Sequence, residues 1–86
     1  MKHTLTFNPQ AVAIWNDKLY IPASKSPDIR VFNADPFEYQ RTITVDGMKD
    51  PLDIVASDNV LYVSEYEDKL IHRIQLPEEN VSNWTV

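Results

Sequence analysis

Two stretches of the chain share one order of apolar and polar positions. The first begins at Pro9 and the second at Pro51, 42 residues later. In both, the proline is followed by an apolar run, then by two polar residues, and then by a second run that reads LYI at 19–21 and LYV at 61–63. A similarity that recurs at a fixed spacing of about 40 residues is typical of repeat architectures. The pattern therefore predicts two copies of one structural unit.

Each copy is predicted to contain four short strands. These are residues 11–15, 19–21, 29–32 and 41–45 in the first copy, with a bend at 37–40, and residues 53–56, 60–63, 70–76 and 84–86 in the second. Between the first two strands, Asn16-Asp17 and Asp58-Asn59 favour tight turns, because both residue types tolerate the left-handed conformation. Continuous apolar runs such as residues 11–15 favour strands buried on both faces. Helical caps and helical spacing are absent, so the chain is predicted to be all-β.

A ninth strand is predicted ahead of the first copy. Residues 4–7 read Thr-Leu-Thr-Phe and alternate between polar and apolar with the period of a strand. Two four-stranded units need only eight strands, so this segment is expected to pair with an edge outside its own unit.

Composition narrows the class of protein. Eighty-six residues make at most one small domain, and a hydrophobic fraction of 43% is too high for a disordered chain. The absence of cysteine excludes a disulfide framework and a thiolate metal site. A net charge of −5 argues against nucleic acid as a partner, and no apolar run is long enough to cross a membrane. The glycosylation triplets that begin at Asn80 and Asn83 are expected to be chemically silent, and the cellular compartment is left open.

Three segments of the second copy carry a resemblance to a known family. PLDIVAS at 51–57, LYVS at 61–64 and IHRI at 71–74 resemble the NHL and YVTN β-propeller repeats. The first copy fits through residues 19–21 and 29–32. The resemblance implies one module over residues 1–86, in which residues 9–50 and 51–86 are two four-stranded antiparallel propeller blades and residues 1–8 add an extra outer strand.

Two blades cannot close a ring, because propellers have four to eight. The open blade pair would leave two different apolar faces in water, so association would be head-to-tail and would close only at certain ring sizes. We expect a homo-oligomer, with a six-bladed trimer favoured over other rings or over a fragment of a longer propeller. The segments expected to close the ring are at the two ends of the chain, and they compete for the edge beside residues 70–76: Thr4, Leu5, Thr6, Phe7, Trp84 and Val86.

The expected function is that of a non-enzymatic scaffold that binds a protein, peptide or glycan and needs no cofactor. Two loops that the propeller arrangement brings to one rim carry the candidate binding residues, which are Asp46, Asp50, Glu65, Tyr66, Glu67 and Asp68. A solvated acidic rim without a ligand is the alternative. The spacing of a calcium loop is missing, and a single glycine excludes a phosphate-cradling loop.

No catalytic or metal-binding constellation is predicted. His3 and His72 are the only histidines, and His72 is expected to be exposed beside Arg73. The alternatives are a fragment of a six-bladed propeller enzyme of the lyase or lactonase kind, or a carbohydrate-binding propeller. The residues expected to face the channel are apolar, which disfavours the enzyme. Asp53 is the polar exception, and it either lies on the ring axis or bonds nearby backbone. Trp15 and Trp84 are expected to be core residues rather than stacking platforms.

Overall fold

The computed structural model describes residues 2–65, 67, 69–77 and 80–85, and within them the chain is all-β. Eight strands follow one another along the chain: β1 (Ala13–Trp15), β2 (Lys18–Pro22), β3 (Asp28–Asn33), β4 (Glu38–Thr44), β5 (Pro51–Ser57), β6 (Val60–Glu65), β7 (Leu70–Gln75) and β8 (Asn80–Thr85). They form two antiparallel sheets in which each strand pairs with the next. Sheet 1 has the order β1-β2-β3-β4 and sheet 2 has the order β5-β6-β7-β8.

The two sheets repeat each other in register. Ala13 pairs with Tyr20 in sheet 1, and Val55 pairs with Tyr62 in sheet 2. At the next strand pair, Tyr20 lies opposite Val31 and Tyr62 lies opposite Arg73. Every one of these positions is displaced by the 42 residues that separate the two prolines. The prediction of two equivalent four-stranded antiparallel units is therefore confirmed.

The tight turns that open each sheet are also confirmed. Asn16 and Asp17 have φ of 51° and 60°, and Asp58 and Asn59 have φ of 50° and 64°. Two successive left-handed residues match the twist of the flanking strands. Asn and Asp adopt this conformation at the lowest cost after glycine, which is why the chain can turn here without one.

Two strand boundaries differ from prediction at the outer edges. β4 begins at Glu38, inside the predicted bend, and β8 begins at Asn80, four residues before the predicted strand. Both are outer strands with few apolar residues, so alternation along the sequence marks them poorly. A register shift between Val31 and Phe32 lets β4 carry one residue more than β8.

The predicted ninth strand does not form within the single chain. Residues 4–7 form no strand, and Pro9 makes only an isolated bridge to Ala23. β8 pairs along the whole of β7, from Leu70 to Gln75, so the edge expected to receive residues 4–7 of a neighbour is already occupied. Trp84 lies in β8 opposite Ile71, and Val86 falls outside the described residues.

The core lies between the two sheets. Each sheet turns one face inward, and β5 approaches β1 and β2 closely. The buried cluster comprises Ala13, Tyr20, Ile29, Val31, Ile43, Val45 and Met48 from the sheet 1 side and Ile54, Leu61, Val63, Ile74 and Leu76 from the sheet 2 side. Burial of the innermost strands on both faces is not seen in the single chain, because each sheet has only one packed neighbour. Ile14 of β1 is 67% exposed and Val55 of β5 is 57% exposed.

Candidate functional site

The outer face of sheet 2 is open. The register places Val55 beside Tyr62 on this face, and Asp53, Ser64 and Ile71 form the next row of the same face toward one end. Together they line a shallow cavity of about 170 Å³. Asp53 also accepts a 2.8 Å hydrogen bond from the Ile54 N–H, in agreement with the backbone-bonding alternative for this residue.

The outer face of sheet 1 is half covered. Near β1 it is bare, since Val12 and Ile14 are 54% and 67% exposed. Farther out, the N-terminal segment (residues 3–7) lies on the face. The Phe7 ring is 6.4 Å from the Phe32 ring, and the Arg30 guanidinium carbon lies 4.4 Å above the Phe7 ring.

Stacked rings continue from Phe32 to the start of the chain. Phe32 stacks on Phe37 at 4.8 Å between centroids, and His3 stacks on the same Phe37 at 4.1 Å. Tyr39 meets Phe32 edge-on at 5.7 Å. These distances are in the range of favourable aromatic pairs. The N-terminal segment is therefore held at both ends, at His3 and at Phe7, by one aromatic group.

The open face of sheet 2 corresponds to a face of sheet 1 that is buried. In the repeat, Val55, Tyr62 and Ile71 stand 42 residues after Ala13, Tyr20 and Ile29. Those three residues of sheet 1 are all buried against sheet 2. Sheet 2 thus turns outward the positions that are equivalent to those that sheet 1 buries against sheet 2.

The outer face of sheet 1 has the complementary relation. Its residues Leu19, Ile21 and Phe32 stand 42 residues before Leu61, Val63 and Ile74, which are fully buried where sheet 2 receives sheet 1. The two outer faces are therefore formed by positions that are equivalent to the two halves of the interface inside the chain. Each is a different surface, so a contact between them would be head-to-tail.

A buried pair of a histidine and a glutamate sits beside the internal interface. His72 Nε2 lies 2.6 Å from Glu65 Oε2, and both side chains are buried, with relative exposures of 0% and 3%. Glu65 Oε1 accepts hydrogen bonds from the backbone N–H groups of Lys49 at 2.6 Å and Asp50 at 2.7 Å. One carboxylate therefore joins β6, β7 and the segment that connects the two sheets.

Two sequence predictions are corrected by this pair. His72 is not exposed, and Glu65 is not a rim residue available to a ligand. The missed signal is strand alternation. Glu65 is two residues after Val63 and His72 is two residues before Ile74, so both share the inward face with buried apolar residues.

The environment of Glu65 favours the carboxylate. Burial acts to raise the pKa of the carboxyl, but the hydrogen bonds from His72, Asp50 and Lys49 and the charge of His72 outweigh it. The pKa of Glu65 is therefore lowered from its ordinary value of 4.5. A charged acceptor with three donors is a structural anchor rather than a proton donor at neutral pH.

The remaining rim residues do meet in part at one end of the molecule. Asp50 and Glu67 line a common cleft of about 190 Å³ with Gln10 and Ser24, as expected for loops on one rim. Asp50 Oδ1 also accepts a 2.9 Å hydrogen bond from the Lys25 N–H. Asp46 is exposed and lines no part of that cleft. Tyr66 and Asp68 lie outside the described residues.

Trp15 packs against the core as predicted, and its Nε1 donates a 3.0 Å hydrogen bond to Asn59 Oδ1 across the two sheets.

Among the described residues no three His, Asp or Glu side chains cluster closely enough to hold a metal ion. The same residues contain no helix that could cross a membrane. A scan of protein-family models finds no match to the chain, and a search of curated proteins finds no similar sequence.

Proposed function

We propose that this chain is a two-blade β-propeller module that completes a ring by head-to-tail association with further copies. Sheet 1 and sheet 2 are then consecutive blades, and the outer face of sheet 2 in one copy packs on the outer face of sheet 1 in the next. The observation that carries the proposal is the equivalence of these two faces with the pair buried inside the chain.

The exposed side chains supply the driving force for association. Val12, Ile14, Leu52 and Val55 are large apolar residues that are about half exposed or more, and all lie in or next to the innermost strands β1 and β5. Their burial is favourable by roughly 25 cal/mol for each Å² removed from water. Three chains, and hence six blades, are the assembly that we favour.

We assign the ring a scaffold function rather than an enzymatic one. The loops at the end that carries Asp50 and Glu67 would be presented once per chain, so a ring of three would offer three copies of the same surface to a protein or peptide ligand. Repeated presentation raises avidity without any new contact in each site. Glu65 and His72 are excluded from this surface because both are buried.

The deciding experiment is the absolute mass in solution, measured by sedimentation equilibrium at several loading concentrations. The expected result is a mass approaching three times the chain mass of 10.0 kDa. A folded monomer that persists at the highest attainable concentration would overturn the proposal, and a stable mass of another closed multiple would correct the ring size.

A further inference from the structure

We infer that the N-terminal segment (residues 3–7) is a displaceable cover on the docking face of sheet 1, where it competes with the incoming sheet 2 of a second copy. The inference rests on the proposed function, because it assigns a partner to that face. It reverses the role expected from the sequence, in which residues 4–7 pair with a neighbour and promote assembly.

The segment occupies the surface that a second copy needs. In the internal interface, Val63 and Ile74 of sheet 2 are covered by sheet 1. Their equivalents on sheet 1 are Ile21 and Phe32, which are also buried, at 5% and 8% exposure, although no sheet lies on them. The N-terminal segment takes the place of that sheet: Phe7 stacks near Phe32, and a groove beside Leu5 reaches Ile21.

The cover is incomplete. It lies over the part of the face formed by β2 to β4, while Val12 and Ile14 near the inner edge stay exposed. Their equivalents in sheet 2 are Ile54, which is buried, and Ala56, which packs against the core. A second copy can therefore make its first contact at the inner strand while the segment is still in place.

The cover is also imperfectly bonded. Arg30 Nη1 is buried and makes no hydrogen bond with any described residue, and the guanidinium instead lies over the Phe7 ring. A buried donor without an acceptor destabilises the closed arrangement. The face of sheet 2 that would replace the segment carries acceptors, the Asp53 carboxylate and the Ser64 hydroxyl. Replacement of the segment by sheet 2 thus exchanges an aromatic contact for a face that carries oxygen acceptors.

Competition predicts a specific effect on assembly. When only a fraction of the chains has a free docking face, the apparent dissociation constant is the intrinsic one divided by that fraction. Weakening the cover raises the fraction and strengthens assembly, even though the covering residues make no contact between copies.

The test compares the full chain with Phe7→Ala and with a deletion of residues 2–7, and uses Lys2→Ala as the matched control. Lys2 is exposed and precedes the covering residues. The concentration at which half of the chains are assembled is measured by sedimentation velocity, and circular dichroism verifies the strand content of each variant. Phe7→Ala keeps the full chain, so it remains informative if the deletion variant does not fold.

We expect Phe7→Ala to lower the half-assembly concentration by about threefold to tenfold, the equivalent of one lost aromatic contact, and the deletion to lower it further. Lys2→Ala should leave it unchanged. An unchanged value for Phe7→Ala and the deletion overturns the inference and leaves the proposed function standing. Weaker assembly after deletion also overturns it, in favour of a segment that bridges copies. If every form stays monomeric, both the inference and the proposed function are wrong.

Discussion

At the scale of single residues, Glu65 holds three parts of the chain together. Its two oxygens contact the His72 ring and the backbone N–H groups of Lys49 and Asp50. Because the carboxylate is buried, a donor that loses it stays buried without a hydrogen-bond acceptor. Removing one partner from such a buried hydrogen-bonded group therefore lowers the stability of the fold by more than the intact group adds to it.

Glu65→Gln should therefore lower the free energy of unfolding by about 1–3 kcal/mol, because a neutral amide cannot accept from all three donors. Urea unfolding at fixed protein concentration measures this change in the free energy of unfolding. Glu67→Gln is the matched control, since Glu67 is an exposed acid two positions away and should change stability by less than about 0.5 kcal/mol. Equal midpoints for the two variants would refute the anchoring role.

The same residue gives the stability a defined pH dependence. Because the folded-state pKa of Glu65 lies below its ordinary value of 4.5, its contribution is complete above about that pH and is lost as the pH falls through the lower folded-state pKa. The gap in unfolding free energy between the native chain and Glu65→Gln should thus narrow as the pH falls below about 4.5. A gap that stays the same from neutral pH down to about pH 3 would contradict the lowered pKa.

At the scale of elements, the first turn of each sheet depends on two left-handed residues. Asp17 has φ of 60°, and its carbonyl accepts a 3.0 Å hydrogen bond from the Ala34 N–H. Asn59 has φ of 64°, and its side chain bonds Trp15 of the other sheet. The Asn59 carbonyl likewise accepts a 2.9 Å hydrogen bond from the Leu76 N–H, so both turns make the same bond within their own sheet, and Asn59 adds a bond to the other sheet.

Asp17→Val should destabilise the chain by about 1–2 kcal/mol, because a β-branched residue is strained in the left-handed region. Asp17→Gly at the same position serves as the control, and it should leave stability unchanged or slightly raised, since glycine adopts this conformation freely. Thermal unfolding of both variants at one concentration gives the comparison. If both substitutions shift the midpoint equally, backbone conformation is not what Asp17 supplies.

At the scale of the whole molecule, the two outer faces are the surfaces through which the proposed assembly would form. Val55 is 57% exposed on the face of sheet 2, so a charge there costs the single chain little. In the proposed assembly it would be buried at the contact, as its equivalent Ala13 is buried inside the chain. A substitution at this position therefore separates folding from association.

Val55→Asp should raise the half-assembly concentration at least about tenfold, because an unpaired carboxylate in an apolar contact costs more than the ~1.4 kcal/mol that tenfold represents. Ala34→Asp adds the same charge at an exposed turn outside both faces and should have no effect. Light scattering over a dilution series measures the half-assembly concentration of both variants. Assembly that tolerates Val55→Asp would show that this face is not the contact.

Much of the fold could be predicted from the sequence because its decisive signals are local. The recurrence of proline, apolar run and Leu-Tyr run marked both sheets, and the Asx pairs at 16–17 and 58–59 marked their first turns. Residues 4–7 show the limit of this reasoning. Their alternation is that of a strand, but a strand needs an unpaired edge, and the outer edge of sheet 2 is already taken by β8.

The candidate site was harder to predict, because it too depends on contacts between segments that are distant in the sequence. Acidic residues of one loop look alike in sequence, although Glu65 ends a strand with its side chain turned inward and Glu67 is exposed in the loop that follows. Likewise, no local sequence pattern predicts that Phe7 lies on Phe32, because the contact joins segments that only the folded sheet brings together.

The sequence by itself determined the all-β class, the two equivalent four-stranded units and their tight turns, since strand alternation and turn chemistry act between residues close along the chain. Only the tertiary structure decided which carboxylate is buried, which face of each sheet is covered, and where the N-terminal segment lies. These depend on the packing of one sheet against another, and packing is set by surfaces assembled from distant residues.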